Sequence, residues 1–251
     1  MRRYGLRDDQ WERIKDFLPG REGHVGGTAA DNRLFVEAVL YRYRAGIPWR
    51  DLPERFGDWK ATHKRLRRWC ESGVFERIFK VLSEDRDNEY MMIDSTIVRA
   101  HQHSAGARKK RGTDQAIGRS RGGLTTKIHM IVDALGNPVA MSLTPGQQSD
   151  LGEAEPLLEK VEPEAFLADK AYDADALIQA LQHRSITPVI PSKANRRVQR
   201  KADFALYRER NLVERLFCKL KGFRAIATRY DKLASTFLAA IQLVSIVFWL
   251  N

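Results

Sequence analysis

Hydrophobic and polar positions near the start of the chain repeat with a helical period that turn residues interrupt. The stretch DNRLFVEAVLYRYRAGIPWRDLPERFGDWKATHKRLRRWC predicts three helical segments. Asp31 or Asn32 is placed to cap the first segment, and Gly46 is placed to end it. Pro48 starts a short second segment, and a turn at Asp58 leads into the third. The third segment has apolar residues on one face and basic residues on the other.

The basic face of the third segment suggests contact with DNA. A helix, a short helix and a basic final helix follow the outline of a helix-turn-helix module, whose last helix enters the major groove. A small helical bundle with a solvated basic face would give the same pattern, and the sequence leaves both open. Arg65 is expected on the outward face. The DNA contacts predicted on that face are Lys60, Lys64, Arg67 and Arg68.

After the linker SEDRDNEY, short apolar runs alternate with helical segments. YMMIDSTIVRA has the pattern of a strand and LTTKIHMIVDALGNPVAMSLTPG that of a hairpin. Then follow DLGEAEPLLEKV as helix, EAFLAD as strand, ADALIQALQHR as helix, ITPVIPS as strand and YRERNLVERLFCKLKGF as helix. We therefore predict a helical domain over residues 1–84. Over residues 85–251 we predict an α/β (α+β) domain with a mixed sheet flanked by helices.

The chain ends in the apolar run LASTFLAAIQLVSIVFWL, which is long enough to suggest a membrane span. Polar residues dilute this run, so a helix buried against the sheet is favoured. The first residues are charged throughout and lack the apolar region of a signal peptide. Cys70 and Cys218 lie in helical patterns, so a disulfide framework is not expected and the reducing cytoplasm is the default location.

The chain is strongly basic, with 43 Lys and Arg against 32 Asp and Glu and a formal net charge of +11. Such a surface attracts nucleic acids or acidic membrane surfaces. Two segments rich in Lys and Arg, AHQHSAGARKKRGTDQAIGRSRGG and PSKANRRVQRK, have the composition of loops, the first at about 102–122. Solvated loops often have this composition too, but phosphate contact is favoured. Predicted DNA contacts are Arg99, His101, His103, Arg108, Lys109, Lys110, Arg111 and Lys127 around the first segment, and Lys193, Arg196 and Arg197 in the second.

His101 and His103 also raise the possibility of a zinc site. No Cys or His pair stands at matching ligand spacing in the sequence. Contact with DNA, or a plain role in the loop, is therefore the favoured interpretation.

Three carboxylates stand out because their neighbours in the sequence are apolar or basic. Asp94 follows YMMI, Asp169 follows AFLA, and Glu214 lies in NLVERLFCKLK. A carboxylate at the end of an apolar strand is displayed at the edge of a sheet, where a cation can reach it. Asp150 and Asp173 compete for such a role, but a helix cap is the favoured interpretation for each.

The helix that carries the third carboxylate groups several reactive side chains. At about 100° per residue, Tyr207, Arg210, Glu214 and Lys221 share about a sixth of the circumference. Two divalent ions held by carboxylates can activate a nucleophile and stabilise a leaving oxygen at phosphorus. Asp94 would then bridge both ions, with one further acid on each. Arg210 and Lys221 would bind phosphates, and Tyr207 would contact the DNA strand.

These motifs resemble a known family. The chain is similar over nearly its whole length to DDE-type transposases of the fifth insertion-sequence family. The resemblance is carried by GIPWRDLPERFGDWKATHKRLRRW, MIDSTIVRAHQHSAGARK, GGLTTKIHMIVDALGNPVAMSLTPGQQSD, LADKAYD and YRERNLVERLFCKLKGFRAIATRYDK. The last of these has Tyr207, Arg210, Glu214 and Lys221 at the spacing of the family's Y-(2)-R-(3)-E-(6)-K signature.

The resemblance implies an RNase H-like catalytic domain whose acidic triad is Asp94, Asp169 and Glu214, with two Mg²⁺ ions per active site and Mn²⁺ as a substitute. It implies binding to terminal inverted repeats and target DNA, hydrolysis at the element's ends, and attack of the 3′-OH on the target. The expected assembly is a homodimer or higher homo-oligomer on DNA at the bacterial nucleoid, without a membrane. One departure, Lys170-Ala171 where relatives often have Arg-Gly, leaves Asp169 in place. A DNA-binding regulator that makes no cuts, and an RNase H-like nuclease that only hydrolyses, stay open as alternatives.

Overall fold

The computed structural model describes residues 5–21, 29–106 and 115–251, and the chain divides into two compact units. Unit one consists of Met1–Glu84, His101–Arg108 and Leu220–Asn251, and unit two of Asp85–Ala100 and Lys109–Lys219. The helices of the described residues are α1 (Asp8–Glu12), α2 (Asn32–Ala45), α3 (Trp59–Glu71), α4 (Val74–Leu82), α5 (Leu151–Leu158), α6 (Asp175–His183), α7 (Phe204–Tyr207), α8 (Asn211–Lys221), α9 (Arg224–Ala227) and α10 (Ala234–Trp249). The strands are β1 (Tyr90–Ala100), β2 (Gly118–Ser120), β3 (Gly123–Val132), β4 (Pro138–Pro145), β5 (Ala165–Leu167), β6 (Thr187–Val189) and β7 (Thr228–Arg229).

The predicted helical segments of unit one form with the expected signals at their ends. Asp31 is the N-cap of α2, and its carboxylate accepts a hydrogen bond from the Leu34 N–H at 2.8 Å. Gly46 ends α2 in the left-handed conformation. Asp58 caps α3 by accepting hydrogen bonds from the N–H groups of Lys60 and Ala61. Between α2 and α3 the chain forms two short 3₁₀ turns, the first of which follows Pro48.

The two faces of α3 are nearly as expected. Leu66 and Trp69 are buried, whereas the basic residues that we predict to contact DNA are exposed. The outward placement of Arg65 is wrong, because this side chain is half-buried. Its guanidinium stacks on the rings of Phe35 and Trp69, at 4.3 and 4.8 Å from their centroids. Stacking on aromatic faces satisfies a guanidinium without placing its charge in the open. The exposed basic residues are Lys60, Lys64, Arg67 and Arg68.

The apolar helix α10 packs against other helices of unit one, whereas the sequence pattern placed it against a sheet. Its principal neighbours in unit one are α4 and α3. This packing follows from the apolar face of α4, which gives α10 a long surface to pack against. The face is buried and consists of Val74, Phe75, Ile78 and Phe79. In the part of the chain that the structure describes, no helix has the length and apolar character needed to cross a membrane.

We expect Gly46→Ala to destabilise the protein by about 3 kcal/mol, because the new Cβ adds left-handed strain and an overlap. The φ angle at Gly46 is +72°, and a Cβ there would lie 2.7 Å from the Cβ of Arg224. Gly73 is the matched control, because its φ is +66° but its Cβ would meet only side-chain ends at 3.6 Å. Gly73→Ala should cost about 1 kcal/mol. Equal losses in urea unfolding would show that the overlap at Gly46 is relieved at no cost.

Unit two is built on a mixed sheet in which β4, β3, β1, β5 and β6 lie side by side in that order. The pairs β1–β3 and β3–β4 are antiparallel, and the pairs β1–β5 and β5–β6 are parallel. The short strand β2 pairs with the start of β3, and α5 and α6 pack on the strands. This arrangement confirms the predicted RNase H-like mixed sheet. The strand predicted over YMMIDSTIVRA is β1, and the predicted hairpin is β3 with β4.

Candidate active site

Two of the three candidate carboxylates lie on the same face of the sheet. Met92 of β1 is paired with Leu167 of β5 in the parallel register. Asp94 and Asp169 each follow two residues later, and side chains two apart along an extended chain point to the same side. Both carboxylates are half-buried. Adjacent parallel strands therefore display them side by side, with Asp169 just past the end of β5 but Asp94 within β1 rather than at a strand end.

Arg210 joins the third carboxylate to the first. Its Nη1 donates to Oδ2 of Asp94 at 2.7 Å, and its Nη2 donates to Oε1 of Glu214 at 2.5 Å. One guanidinium thus lies between carboxylates that come from β1 and α8, segments more than a hundred residues apart in the sequence. Glu214 is exposed, whereas Asp94 and Arg210 are half-buried.

The segment before α8 is not the single continuous helix that the pattern predicts. A 3₁₀ turn over Arg208–Arg210 separates α7 from α8. The predicted grouping nevertheless forms in part, because the Arg210 guanidinium lies 5.9 Å from the ring centroid of Tyr207 and pairs with Glu214 one turn later. Lys221 is exposed at the end of α8, and by its packing it belongs to unit one.

Asp169 has a different set of contacts from Asp94. Its Oδ1 accepts a hydrogen bond from the Ala171 N–H at 2.8 Å, which caps the 3₁₀ turn Lys170–Tyr172. Within the described ranges, no three His, Cys, Asp or Glu side chains are grouped closely enough to hold a metal ion. The three carboxylates are a donor set that fits a hard divalent cation. The guanidinium of Arg210, however, occupies the place between Asp94 and Glu214.

The charge on Asp94 is only partly compensated. Burial raises the pKa of the Asp94 carboxyl above its ordinary value, and nearby Asp169 acts in the same direction. The Ser95 N–H, which donates to Oδ1 at 2.7 Å, and the Arg210 guanidinium favour the charged form. A further cation at this carboxylate would therefore be stabilised by the surroundings.

A polar network that the sequence pattern did not indicate lies on the opposite side of β1. Asp150 was expected to cap a helix, but its side chain makes no hydrogen bond to α5. Instead its Oδ1 accepts from Ser95 Oγ at 2.7 Å and pairs with Lys127 Nζ at 2.8 Å. Lys127 is buried and also donates to the Gln148 carbonyl, so it is unavailable to a DNA phosphate. Side chains alternate between the two faces along β1 and β3, and Ser95 is paired with His129. Because His129 lies two residues from Lys127, the sequence pattern could have indicated that Ser95 and Lys127 share a face.

Tyr172 is a further residue near the site that the sequence pattern did not indicate. Its side chain is buried, and its hydroxyl has no hydrogen-bond partner among the described residues. Burial raises the pKa of Tyr172, and the carboxylates of Asp150, Asp94 and Asp169 add to this effect. The phenol therefore lies within the electrostatic reach of all three acids, inside the LADKAYD motif.

The second basic segment is largely paired with acids of the same unit. Asp173 was expected to cap a helix, but α6 begins after Ala174 and the Asp173 carboxylate is fully buried. It binds Arg196 at 2.9 Å and Arg200 at 2.5 Å, and it accepts from the Lys193 N–H at 2.8 Å. The Lys193 ammonium donates to the Asp173 carbonyl at 3.2 Å, so Arg196 and Lys193 are both engaged within the protein rather than displayed to a phosphate. Arg197 is exposed.

The first basic segment is described only in part. Arg99 and His103 are exposed, and His101 is half-buried with its ring 4.9 Å from that of Tyr230. The predicted contacts that lie outside the described residues are Arg108, Lys109, Lys110 and Arg111.

Lys127→Met should lower the free energy of unfolding by about 2 kcal/mol, because it leaves Asp150 without its ammonium partner in a poorly hydrated place. Urea denaturation of the full chain measures this loss. Lys160→Met is the matched control, because Lys160 is exposed at the end of α5, and it should change stability by less than about 0.5 kcal/mol. Equal effects of the two substitutions would contradict the importance of the Lys127–Asp150 pair.

The mixed sheet, with carboxylates beside two adjacent parallel strands, is the arrangement expected of an RNase H-like domain. Residues 86–249 match the family described as "Transposase DDE domain", and residues 6–79 match the family described as "Putative transposase of IS4/5 family". The chain belongs to the DDE-domain transposases, which are metal-dependent enzymes of DNA cleavage and strand transfer.

One of two similar curated proteins is described as a transposase. The chain is 36% identical over 130 residues to a Brucella ovis protein described as "Putative transposase for insertion sequence element IS6501", covering 51% of this chain and 100% of that protein. It is 55% identical over 108 residues to "Uncharacterized protein y4sN" of Sinorhizobium fredii, covering 43% of this chain and 86% of that protein.

Solved structures with detectable similarity are more distant. A piggyBac transposase synaptic complex with hairpin DNA is 16% identical with a TM-score of 0.39, over 75% of this chain and 48% of that chain. The chain thus spans about half the length of the piggyBac protein. A pre-cleavage Mos1 transpososome is 11% identical with a TM-score of 0.27, over 96% of this chain and 84% of that chain.

Proposed function

We propose that this transposase cleaves the ends of its element and joins the 3′-OH to target DNA at a site formed by Asp94, Asp169 and Glu214. The observation that carries the proposal is the position of Arg210, which binds Asp94 and Glu214 at once beside the strand end that carries Asp169. Arg210 links carboxylates from two separate segments, and Asp169 follows the strand beside that of Asp94. Such a set of acids repels phosphate unless cations are present.

The proposed roles follow from the contacts. Asp94, Asp169 and Glu214 would hold two Mg²⁺ ions. Such a pair of ions, or Mn²⁺ in its place, activates the attacking water or 3′-hydroxyl and stabilises the leaving oxygen. Arg210 would leave the carboxylates when cations and DNA arrive and would then bind a phosphate beside the scissile one. Tyr207 would contact the same strand.

Recognition of terminal inverted repeats and target DNA would fall to the other predicted basic residues and histidines, in a homodimer or larger homo-oligomer at the nucleoid. Lys127, Lys193 and Arg196 are left out of this set because each is engaged inside the protein. The proposed contacts are Lys60, Lys64, Arg67, Arg68, Arg99, His101, His103, Arg197 and Lys221, together with Arg108, Lys109, Lys110 and Arg111 outside the described residues.

The test is an assay on a supercoiled plasmid that carries the element's two ends, with Mg²⁺. The wild-type chain should nick at the ends and join a precut 3′-OH end to a second plasmid, and Glu214→Gln should do neither. Glu164→Gln is the control, because Glu164 is an exposed carboxylate of unit two and its replacement should leave both steps unchanged. Nicking without joining would establish a nuclease instead, and sequence-specific binding without nicking would establish a regulator.

A further inference from the structure

Unit one contains a cavity of about 840 Å³ that the acidic site does not involve. Its walls come from α2, from the 3₁₀ turn Trp49–Asp51, from α3 and from the segment that leads into α10. Arg42, Trp49, His63, Arg67, Tyr230 and Lys232 are among the lining residues. A volume of this size lies within the range of small-molecule binding sites, about 300–1,000 Å³.

Arg42 is a buried cation with unused hydrogen-bonding capacity. Its side chain is 5% exposed, and its Nε and Nη1 atoms have no hydrogen-bond partner among the described residues. The carboxylate of Asp231 approaches Nη1 only to 3.8 Å and accepts a hydrogen bond from the Tyr43 hydroxyl at 3.1 Å. Burying a guanidinium whose N–H groups lack hydrogen-bond acceptors is costly, so an anion that draws the Arg42 side chain into the cavity would gain strong hydrogen bonds.

An aromatic surface stands beside this guanidinium. The rings of Trp49 and His63 lie 5.3 Å apart, and the Arg42 guanidinium lies 5.1 Å from the ring centroid of Trp49. Burial lowers the pKa of His63, so its imidazole is neutral at pH 7 and presents a flat, weakly polar face. A planar heterocycle stacks on such a surface whatever its hydrogen-bonding pattern.

The charge of the lining favours an anion. Arg42, Arg67 and Lys232 are set against the single carboxylate of Asp231 among the residues that line the cavity. Arg67 and Lys232 are exposed, so they stand where the cavity opens to solvent, and Arg67 also pairs with Glu71 at 3.3 Å. A flat apolar wall next to concentrated positive charge matches a ligand that joins a planar ring to a phosphate.

We propose that this cavity binds a nucleotide, with the base against Trp49 and His63 and the phosphate on Arg42, assisted by Arg67 and Lys232. The chemistry is the same whether the nucleotide is free or is an unpaired residue of a DNA strand. The proposal goes beyond the cleavage reaction and does not depend on the acidic triad. A measurement of nucleotide binding is therefore enough to test it.

The test is a fluorescence titration of the full chain with the 5′-monophosphate of 2-aminopurine deoxyriboside, in EDTA so that no cleavage occurs. We expect saturable quenching, because the fluorescent base stacks on an indole. Arg42→Met should weaken binding about tenfold, since it removes a charged hydrogen-bond donor. Arg67→Gln and Lys232→Gln should each weaken it about threefold. Lys80→Gln, which removes an exposed charge of unit one away from the cavity, should change nothing.

Because Arg67 and Lys232 are exposed, their variants separate loss of binding from loss of folding. Absence of saturable quenching with the wild-type chain, or equal binding by the wild-type chain and both exposed-residue variants, would overturn the proposal.

Competition experiments then identify the source of the nucleotide. Displacement of the probe by a single-stranded oligonucleotide at lower concentration than by dAMP indicates a DNA strand, and displacement by dAMP alone indicates a free nucleotide. Equal displacement by a blunt duplex would overturn the proposal, because a paired base cannot enter the cavity.

Discussion

Asp94→Asn should reduce strand cleavage by about a thousandfold or more while leaving the fold and DNA binding intact. Asparagine has the shape of aspartate and can still accept the Ser95 N–H hydrogen bond, but it has no negative charge to hold a cation. The fold should survive because burial already disfavours the charge on Asp94, as its raised pKa shows, and because Arg210 keeps Glu214 as a partner. The measurement is the rate of nicking of plasmid ends at saturating Mg²⁺.

Asp85→Asn provides the matched comparison for this loss, since Asp85 is an exposed carboxylate at the start of unit two. Its cleavage rate should equal that of the wild-type chain. Urea unfolding and a gel-shift assay on both variants establish that fold and DNA binding are retained. If Asp94→Asn cleaves within tenfold of the wild-type rate, Asp94 is not part of the reaction centre.

Arg210→Met should have two opposite effects. It should raise the affinity for Mn²⁺ in the absence of DNA about tenfold, because the guanidinium that now bridges Asp94 and Glu214 no longer competes with the metal. Hydrogen bonds to charged groups contribute about 1.5–3 kcal/mol each, and a tenfold change corresponds to about 1.4 kcal/mol. Cleavage should nevertheless fall about a hundredfold, because the positive charge proposed to hold a phosphate is gone.

Calorimetric titration with Mn²⁺ measures the first effect, and the plasmid assay measures the second. Arg208→Met is the control, because Arg208 is exposed in the same 3₁₀ turn and should alter neither quantity. Unchanged or weaker Mn²⁺ binding by Arg210→Met would mean that the guanidinium does not occupy the metal's place.

Those features that depend on local pattern were predictable from the sequence. Asp31, Gly46 and Asp58 lie at helix ends because capping is decided within a few residues. The strands that carry Asp94 and lead to Asp169 were also predictable, because apolar runs identify strands, but the sequence did not show that these strands are neighbours.

Other features depend on contacts between distant segments, which a single sequence does not encode visibly. The role of Asp150 is an example, since its position before α5 suggests a cap and only the fold brings Ser95 and Lys127 to it. The placement of α10 is another, because an apolar helix fits a sheet or a helical face equally well. Arg42 looks like any basic residue of an amphipathic helix until its burial is known.

The most direct measurement of the central claim is anomalous diffraction at the manganese edge from crystals grown with Mn²⁺. The account predicts manganese bound to Asp94, with Asp169 and Glu214 as its other carboxylate ligands and Arg210 released from Asp94. Manganese bound elsewhere, or Arg210 still bridging Asp94 and Glu214 at saturating Mn²⁺, would contradict it.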